Sequence, residues 1–371
     1  MEIRDPIHGN IEINETVDRI IDTPEMQRLR YLKQLDMSYL VFPGANHTRF
    51  EHSLGTMQVT RELLSNLYGR ENEYMYAGLL HDIGHGPLSH LSEGIIGRLM
   101  KKDHEQLGEE RIRSSEIKDI ISDAGLSFSR VMSYFKARSG ADIVSGTLGS
   151  DRIDYLMRDS HYTGVAYGVI DYERIKGSIT MHKGKVALME RGVAGAESML
   201  IARYFMHSNV YTHHAKLIAS KMLQYSASAA IENGDFGVEE FAQMDDGQFL
   251  SRVIASKRPS ACRIASRVME RNLFKRAFYG SADISGVEEI ENAVMKLGLK
   301  RDEFIAHVVR LGGVSDDIMV VGKDGDELGR LSKLSPFIGT LSGVLKGSNR
   351  LVVACDGKNI GKVRAAVLKA L

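Results

Sequence analysis

Between Met75 and His90 the chain reads Met75-Tyr76-Ala77-Gly78-Leu79-Leu80-His81-Asp82-Ile83-Gly84-His85-Gly86-Pro87-Leu88-Ser89-His90. The run is apolar up to Leu80 and densely polar after it. A helix that stays apolar to its last turn and then shows His-Asp points those side chains from a buried element into a cavity. His offers a neutral imidazole nitrogen and Asp an oxygen, a pair suited to a divalent transition metal. Two ligands cannot hold an ion. At least one more His and one more carboxylate must arrive from other helices. His52, in Thr48-Arg49-Phe50-Glu51-His52-Ser53-Leu54-Gly55, is one candidate, and Asp151, in Gly149-Ser150-Asp151-Arg152-Ile153-Asp154-Tyr155, is another. A lone His is more often a surface or hydrogen-bonded core residue. Here three His crowd Asp82, and Asp151 lies in a cluster of acids and bases that no amphipathic helix needs.

The flanking segments read mostly as helices. Thr23 is placed to cap a helix with Pro24 at its first position. Further helices are expected at about 50–68, at about 72–83 with Gly84 as the stop, in short pieces over 105–160, in one long amphipathic stretch over 194–232, and on to about 272. Residues 3–13 read as a hairpin or extended arm, and 179–189 as a hairpin turning at Lys183-Gly184. After Tyr279-Gly280 the texture changes. Segments 318–321 and 351–354 are β-type runs, Asp324-Gly325 is a hairpin-turn signal, and 362–371 is a final helix. The expected fold is mainly α: a helical core with small β-hairpins, then a small C-terminal α/β appendage, divided as 1–279 and 280–371.

Composition excludes several classes. The chain has 371 residues, 43% hydrophobic and 26% charged, which is ordinary for a globular protein and unlike disordered, collagenous or coiled-coil chains. Lys+Arg and Asp+Glu both number 48, so no bulk charge favours nucleic acid or an anionic membrane. No apolar run approaches the roughly 18–20 residues of a spanning helix. The first residues, Met1-Glu2-Ile3-Arg4-Asp5-Pro6, carry no apolar signal region. Two cysteines, Cys262 and Cys355, make neither a disulfide framework nor a zinc site, so a reducing cytoplasm is expected.

His52, His81-Asp82 and Asp151 occur in the order and context that resemble the HD-domain metal-dependent phosphohydrolases. Four further segments narrow the resemblance to the deoxynucleoside triphosphate triphosphohydrolases, a group that includes members with a SAM domain ahead of the HD domain. They are Asp5-Pro6-Ile7-His8-Gly9, Ile21-Asp22-Thr23-Pro24-Glu25-Met26-Gln27-Arg28-Leu29-Arg30-Tyr31-Leu32-Lys33-Gln34-Leu35, Val41-Phe42-Pro43-Gly44-Ala45 and Arg49-Phe50-Glu51-His52-Ser53-Leu54-Gly55. The resemblance is strong over 1–215, thinner to about 276, and begins at the first residues, so no SAM domain is expected.

The resemblance implies an HD fold and a role for each matching residue. His52, His81, Asp82 and Asp151 would hold a divalent metal such as Mn²⁺, Mg²⁺, Fe²⁺ or Zn²⁺. The reaction would be attack at the α-phosphorus of a deoxynucleoside triphosphate, releasing nucleoside and inorganic triphosphate. His104 would protonate the leaving oxygen, as an imidazole of pKa about 6.5 can. Glu93 stands where the family has an orienting Asp. His85 joins this catalytic set and, with His90, lies near the phosphates. Arg49 and Arg203 would clamp the triphosphate, a task the guanidinium fork suits. Gln34, Tyr155 and Asp159 match holders of the 3′-hydroxyl, with Leu35 in the same pocket. Tyr211 matches an aromatic wall under C2′, and Thr212 replaces a family Gln. Tyr211 follows Arg203 by eight residues, which places both on nearby faces of one expected helix. Core packing is the plain alternative for Tyr211.

A regulatory site is also implied. Asp22, Gln27 and Arg30 match readers of a guanine base, and Arg271 and Lys275 match residues that hold that nucleotide's triphosphate from another subunit. GTP or a deoxynucleotide would then help assemble a dimer or tetramer. Met1 stands where the family has Lys. For the adjoining deoxynucleotide site Arg174 and Arg191 are compatible, while Gly195 replaces an Asn. The plain reading of Asp22, Gln27 and Arg30 is a solvated helix face. Two other functions stay open: another HD phosphohydrolase, either a nucleotidase or a phosphodiesterase, or a catalytically weak nucleotide sensor. Nucleic acid is not expected as the main partner, and residues 280–371 suggest no chemistry.

Overall fold

The computed structural model describes residues 1–68, 73–136, 143–281, 287–310, 318–345 and 349–371. The chain opens with an antiparallel hairpin, β1 (Glu2–Asp5) and β2 (Gly9–Glu12), in which Asp5 faces Gly9. Asp5 Oδ1 closes the turn by accepting from the Ile7 and His8 amides at 2.8 and 2.9 Å. α1 (Glu15–Ile21) is capped by Asn14, and α2 (Pro24–Arg28) by Thr23, with Pro24 in its first turn as the sequence predicts.

The helices that position the candidate ligands follow. They are α3 (Arg49–Tyr68), α4 (Glu73–Leu80), α5 (His90–Leu99), α6 (His104–Ser114), α7 (Ile117–Asp123), α8 (Phe128–Phe135) and α9 (Ser150–Thr163). α3 packs between α4 and α9. Their shared core includes Met57, Leu79, Leu80 and Ile153, all fully buried. Each such side chain contributes about 1.5–3 kcal/mol by leaving water. α4 ends at Leu80, and residues 81–84 form a turn. The helix therefore stops short of Gly84, which serves another purpose described below. The expected start of this helix near 72 lies outside the described residues.

α10 (Tyr172–Lys176) precedes a hairpin, β3 (Ile179–His182) and β4 (Lys185–Met189), which turns at Lys183-Gly184 as expected. The long helix expected over 194–232 is broken. α11 (Val193–Met206) gives way to a π-helical turn, His207–Tyr211, and α12 (His214–Glu232) starts anew after it. Thr212 Oγ1 donates to the His207 carbonyl at 2.8 Å across that turn. Hydropathy periodicity cannot show the break, because one extra residue in a turn leaves an apolar stripe nearly in place.

α13 (Val238–Gln243), α14 (Asp246–Ile254) and α15 (Pro259–Met269) pack with α12 around a second core containing Phe241 and Phe249. The last segment holds β5 (Lys275–Ser281), α16 (Val287–Met295), β6 (Phe304–Arg310), β7 (Met319–Val321), β8 (Glu327–Arg330), α17 (Leu331–Leu334), α18 (Pro336–Leu345), β9 (Asn349–Cys355) and α19 (Ile360–Ala370). β9 lies between β5 and β6, antiparallel to both. β7 pairs in parallel with β4, so the early hairpin and β7–β8 make one four-stranded sheet. The fold is mainly α with small strand-containing parts. A division into 1–279 and 280–371 would cut β5. Cys262 and Cys355 are free thiols. Among the described residues no helix is long and apolar enough to cross a membrane.

Candidate functional site

Three helices deliver the four candidate ligands. His52 stands on the first turn of α3, Asp151 on the first turn of α9, and His81 and Asp82 directly after α4. His52 Nε2 lies 3.1 Å from Asp151 Oδ1 and 3.6 Å from Asp82 Oδ2. His81 Nε2 lies 3.2 Å from His52 Nε2, 3.3 Å from Asp82 Oδ1 and 3.6 Å from Asp151 Oδ1. Ligand atoms about 2.1 Å from one cation stand about 3.0–3.4 Å apart in octahedral or tetrahedral arrays. His52, His81 and Asp82 form a set able to take a cation, and Asp151 stands beside both imidazoles.

The imidazoles are preset for that task. His81 Nδ1 lies 2.8 Å from the Gly78 carbonyl, so Nδ1 carries the proton and Nε2 faces the cluster. His52 Nδ1 lies 2.7 Å from Asp154 Oδ2. Arg158 donates to both oxygens of Asp154 at 2.9 Å, and His8 Nε2 reaches Asp154 Oδ1 at 2.6 Å. Arg158 Nη1 donates to Asp5 Oδ2 at 2.8 Å. A chain of charged bonds thus runs from the N-terminal hairpin through Asp5, Arg158 and Asp154 to His52. α3 must approach it closely: a Cβ on Gly55 would stand 1.9 Å from Asp154 Oδ1. Burial opposes ionisation of Asp82, yet Arg49, His81 and His85 hold its carboxyl well below the usual range. Burial opposes ionisation of Asp151 as well, and its bonds to His52 and His81 keep its carboxyl low. Burial alone would lower His52, but Asp151 and Asp154 push it up to about 10.

A second group adjoins the first through Asp82. His104 opens α6, and its Nδ1 lies 3.2 Å from Glu93 Oε1. Its ring stacks on His85 with centroids 4.1 Å apart. His85 Nε2 lies 3.2 Å from Asp82 Oδ1. Gly84 makes this approach possible, since a Cβ there would stand 1.8 Å from the His104 carbonyl oxygen. Burial pulls His104 down, and the Glu93 carboxylate outweighs it and pushes it up. Burial and then Arg49 hold His85 well below its ordinary value, so it is neutral. The ligand atoms of Asp82, His85 and His104 lie within 4.8 Å of one another, a second set able to take a cation.

The turn after His85 is strained. Leu88 and Ser89 have φ of 52° and 50°, a left-handed region that costs non-glycine residues about 1–3 kcal/mol. Buried Asp246 holds it in place by accepting from the Leu88 amide at 2.6 Å and the Lys33 amide at 2.9 Å. Burial raises the Asp246 carboxyl to about 6. Ser89 Oγ accepts from Arg49 Nε at 2.7 Å, and Arg49 Nη1 also donates to Asp82.

The residues assigned to the sugar gather further along the same face of α9, around Tyr155 and Asp159. Tyr211 donates to Asp159 Oδ2 at 2.6 Å, and His47 Nε2 donates to Asp159 Oδ1 at 2.8 Å. The Tyr155 and Tyr211 rings meet edge to face at 6.3 Å. Gln34 is buried, and its backbone N–H donates to the His47 carbonyl at 3.0 Å. Arg203 lies near enough to Tyr155 and Tyr211 to oppose the rise of their hydroxyl pKa values. Arg49 Nη2, Arg203 Nη1 and Gln34 Oε1 are buried without a hydrogen-bond partner among the described residues. Leu35 is buried, and His90 is exposed beside Glu93. Arg203 and Tyr211 do not share one regular helix; the π turn intervenes.

The regulatory set is divided. Gln27 Oε1 accepts from Arg30 Nε at 3.0 Å, and the Arg30 guanidinium lies 3.6 Å over the Phe50 ring. Asp22 caps α1 nearby. Arg271 donates to the Leu40 carbonyl at 3.2 Å, and Lys275 is exposed at the start of β5. Among the described residues no hydrogen bond or ion pair joins Arg271 or Lys275 to Asp22, Gln27 or Arg30. Arg174 Nε donates to the Arg191 carbonyl at 3.0 Å.

Sequence reasoning passes over Asp154, Arg158, His8, His47 and Asp246. A signal for the first two exists. Asp151, Asp154, Tyr155, Arg158 and Asp159 follow the i, i+3, i+4, i+7, i+8 spacing of one helix face. Such a stripe is normally apolar, so a polar one at that period marks a buried polar wall.

Residues 49–154 match the family model of the HD domain, and residues 170–371 match that of the HD associated region. An uncharacterized protein of Methanocaldococcus jannaschii is 37% identical over 77% of this chain and 62% of its own length. The deoxynucleoside triphosphate triphosphohydrolase SAMHD1 of Homo sapiens is 28% identical over 83% of this chain and 62% of its own. The chain thus spans less than two thirds of either curated relative. The crystal structure of a hypothetical protein from Aquifex aeolicus, 31% identical, superposes with a TM-score of 0.84 over 99% of both chains.

Proposed function

This chain belongs to the HD-domain family, in the form that carries an HD associated region, and on that premise we propose that it is a metal-dependent hydrolase of deoxynucleoside triphosphates. One observation supports the reading best. The His52, His81 and Asp82 cluster, with Asp151 beside it, stands next to the His104–Glu93 pair, and among the described residues two buried guanidinium nitrogens, Arg49 Nη2 and Arg203 Nη1, lack partners. A triphosphate satisfies both.

A divalent ion held by His52, His81, Asp82 and Asp151 supplies Lewis acidity at a phosphoryl group and a more acidic water. The chain's own side chains do the rest. Arg49, fixed by Ser89 and Asp82, and Arg203 hold the phosphates. His104, kept protonated by Glu93, delivers a proton to the leaving oxygen as the bond to the α-phosphorus breaks. Neutral His85 stacks behind it and keeps the ring from turning. Gln34, Tyr155 and Asp159 receive the sugar hydroxyl, and the Tyr211 ring fills the space a 2′-hydroxyl would need. The name of the human relative agrees with this substrate class. Asp22, Gln27 and Arg30, with Arg271 and Lys275 of a second copy, belong to the same reading as a regulatory guanine-nucleotide site in an oligomer.

Asp82 facing two sets of ligands favours a second reading, a dinuclear phosphodiesterase in which His85 and His104 bind a second ion. A substrate screen separates the two. The protein is given all eight ribo- and deoxyribonucleoside triphosphates, and cyclic and linear dinucleotides as diesters, with Mg²⁺, Mn²⁺ or Fe²⁺, with and without GTP. Release of inorganic triphosphate from deoxynucleotides supports the first reading, and activity confined to diesters overturns it.

A further inference from the structure

A cavity of about 700 Å³ lies between α5, α12, α16 and β6, and none of the residues discussed above lines it. Arg98, Lys221, Arg258 and Arg301 supply four cations to its wall, against Glu232 and Glu291. Only Arg301 is spent, on an ion pair with Glu291. Lys221 Nζ donates to the Gln224 amide oxygen at 2.7 Å, and Arg98 Nη2 to Ser228 Oγ at 3.1 Å. Among the described residues neither Lys221, Arg98 nor Arg258 forms an ion pair with a carboxylate. Burial, then the charge of Lys216, pulls Lys221 down to about 8, with Asp36 opposing. Behind it on β6, burial, Lys221 and Lys216 pull His307 down to about 3. A partly buried cation without a counter-charge is costly unless something anionic completes it. Guanidinium forks beside an ammonium suit phosphate oxygens. The volume exceeds what one phosphate fills, and Tyr225 adds an aromatic ring to the same wall.

We propose that this cavity is a second anion site, separate from the HD centre, which binds a polyphosphate: inorganic triphosphate or the triphosphate tail of a nucleotide. The site stands independently of the catalytic reading. Titration calorimetry on the full chain tests it, with tripolyphosphate and GTP as probes and wild type, Lys221→Met, Arg258→Gln and Arg203→Gln as proteins. Tripolyphosphate binding should weaken about tenfold or more in Lys221→Met and in Arg258→Gln, the loss of one charge-assisted contact. Arg203→Gln should remove only the tripolyphosphate bound at the HD centre and leave the cavity component at wild-type affinity. Parallel loss of GTP binding identifies a nucleotide as the source, and unaltered GTP binding identifies the inorganic anion. Arg258 is exposed, so its variant reads the site even if Lys221→Met fails to fold. No tripolyphosphate binding to wild type, undiminished wild-type binding by both cavity variants, or loss of all tripolyphosphate binding in Arg203→Gln overturns the proposal.

Discussion

The Tyr211 hydroxyl donates to Asp159 Oδ2 at 2.6 Å while His47 holds the other oxygen of the same carboxylate. The ring is therefore tethered at its edge and not merely packed. It reaches Asp159 because the π turn over His207–Tyr211 re-aims it after α11 has ended. Tyr211→Phe should keep the wall and lose the tether, at a cost of about 1–3 kcal/mol for a buried acceptor left short of a donor. Tyr211→Ala removes the wall and should narrow the ratio of kcat/KM for dGTP over GTP, mainly by admitting GTP. Measuring both ratios beside melting curves separates gate from packing. A lower Tm with an unchanged ratio in the alanine variant defeats the gate.

Asp82→Ala should lose bound metal and hydrolysis together while the fold survives, since Asp82 supplies charged oxygen to both sets of ligands. Metal analysis beside circular dichroism and turnover checks it. Normal turnover in a metal-free variant sinks the assignment.

His104→Ala is expected to keep the ion of the His52 cluster and lose roughly 10²–10⁴ in turnover, the usual worth of a positioned acid. Metal stoichiometry is the deciding measurement. A fall from two ions to one makes His104 a ligand and favours the dinuclear reading.

The candidate ligands are legible in the sequence because each sits at an element boundary with its own local signal. His52 and Asp151 fall in the first turns of α3 and α9, and His81-Asp82 follow an apolar run. The supports of those ligands were not legible, because their meaning depends on contacts far along the chain. Asp5 and Arg158 are separated by 153 residues, and Lys33 and Asp246 by 213. In the sequence Gly84 looks like a helix stop, yet what it provides is room for His104. A glycine needed for close approach looks like any other glycine until its neighbour is known. The break at Thr212 was hidden for a related reason, since the apolar period continues across it. The polar stripe of α9 was readable in principle, as it breaks the rule that a buried helix face is apolar.

Asp246 carries a pH signature. Its folded value of about 6 lies above its ordinary 3.8, so the folded state binds the proton more tightly than the unfolded one. The resulting stabilisation is fully present below about pH 4 and is lost as pH rises through about 6. Asp246→Asn removes this term and adds a constant penalty for one lost acceptor. The stability of wild type relative to the variant should therefore fall by about 2 kcal/mol between pH 4 and pH 6.5. Denaturant titrations at several pH values measure it. A difference that is flat or rises over that window contradicts the raised carboxyl.

Asp154 should control the metal without touching it. It orients His52 through Nδ1 and neutralises the fully buried Arg158. Asp154→Asn keeps the shape but removes the charge, and the amide meets His52 with a weaker acceptor. Loss of such an outer carboxylate costs about 10–100-fold in metal affinity. Arg158 then keeps only Asp5, and breaking one partner of a buried ion pair costs about 3–5 kcal/mol. The two effects are separable. Arg158→Met together with Asp154→Asn removes the stranded charge and should recover much of the stability while leaving metal affinity low. Metal titration and denaturation on the single and double variants check this. If affinity recovers along with stability in the double variant, Asp154 acts through the fold alone and has no orienting role at His52.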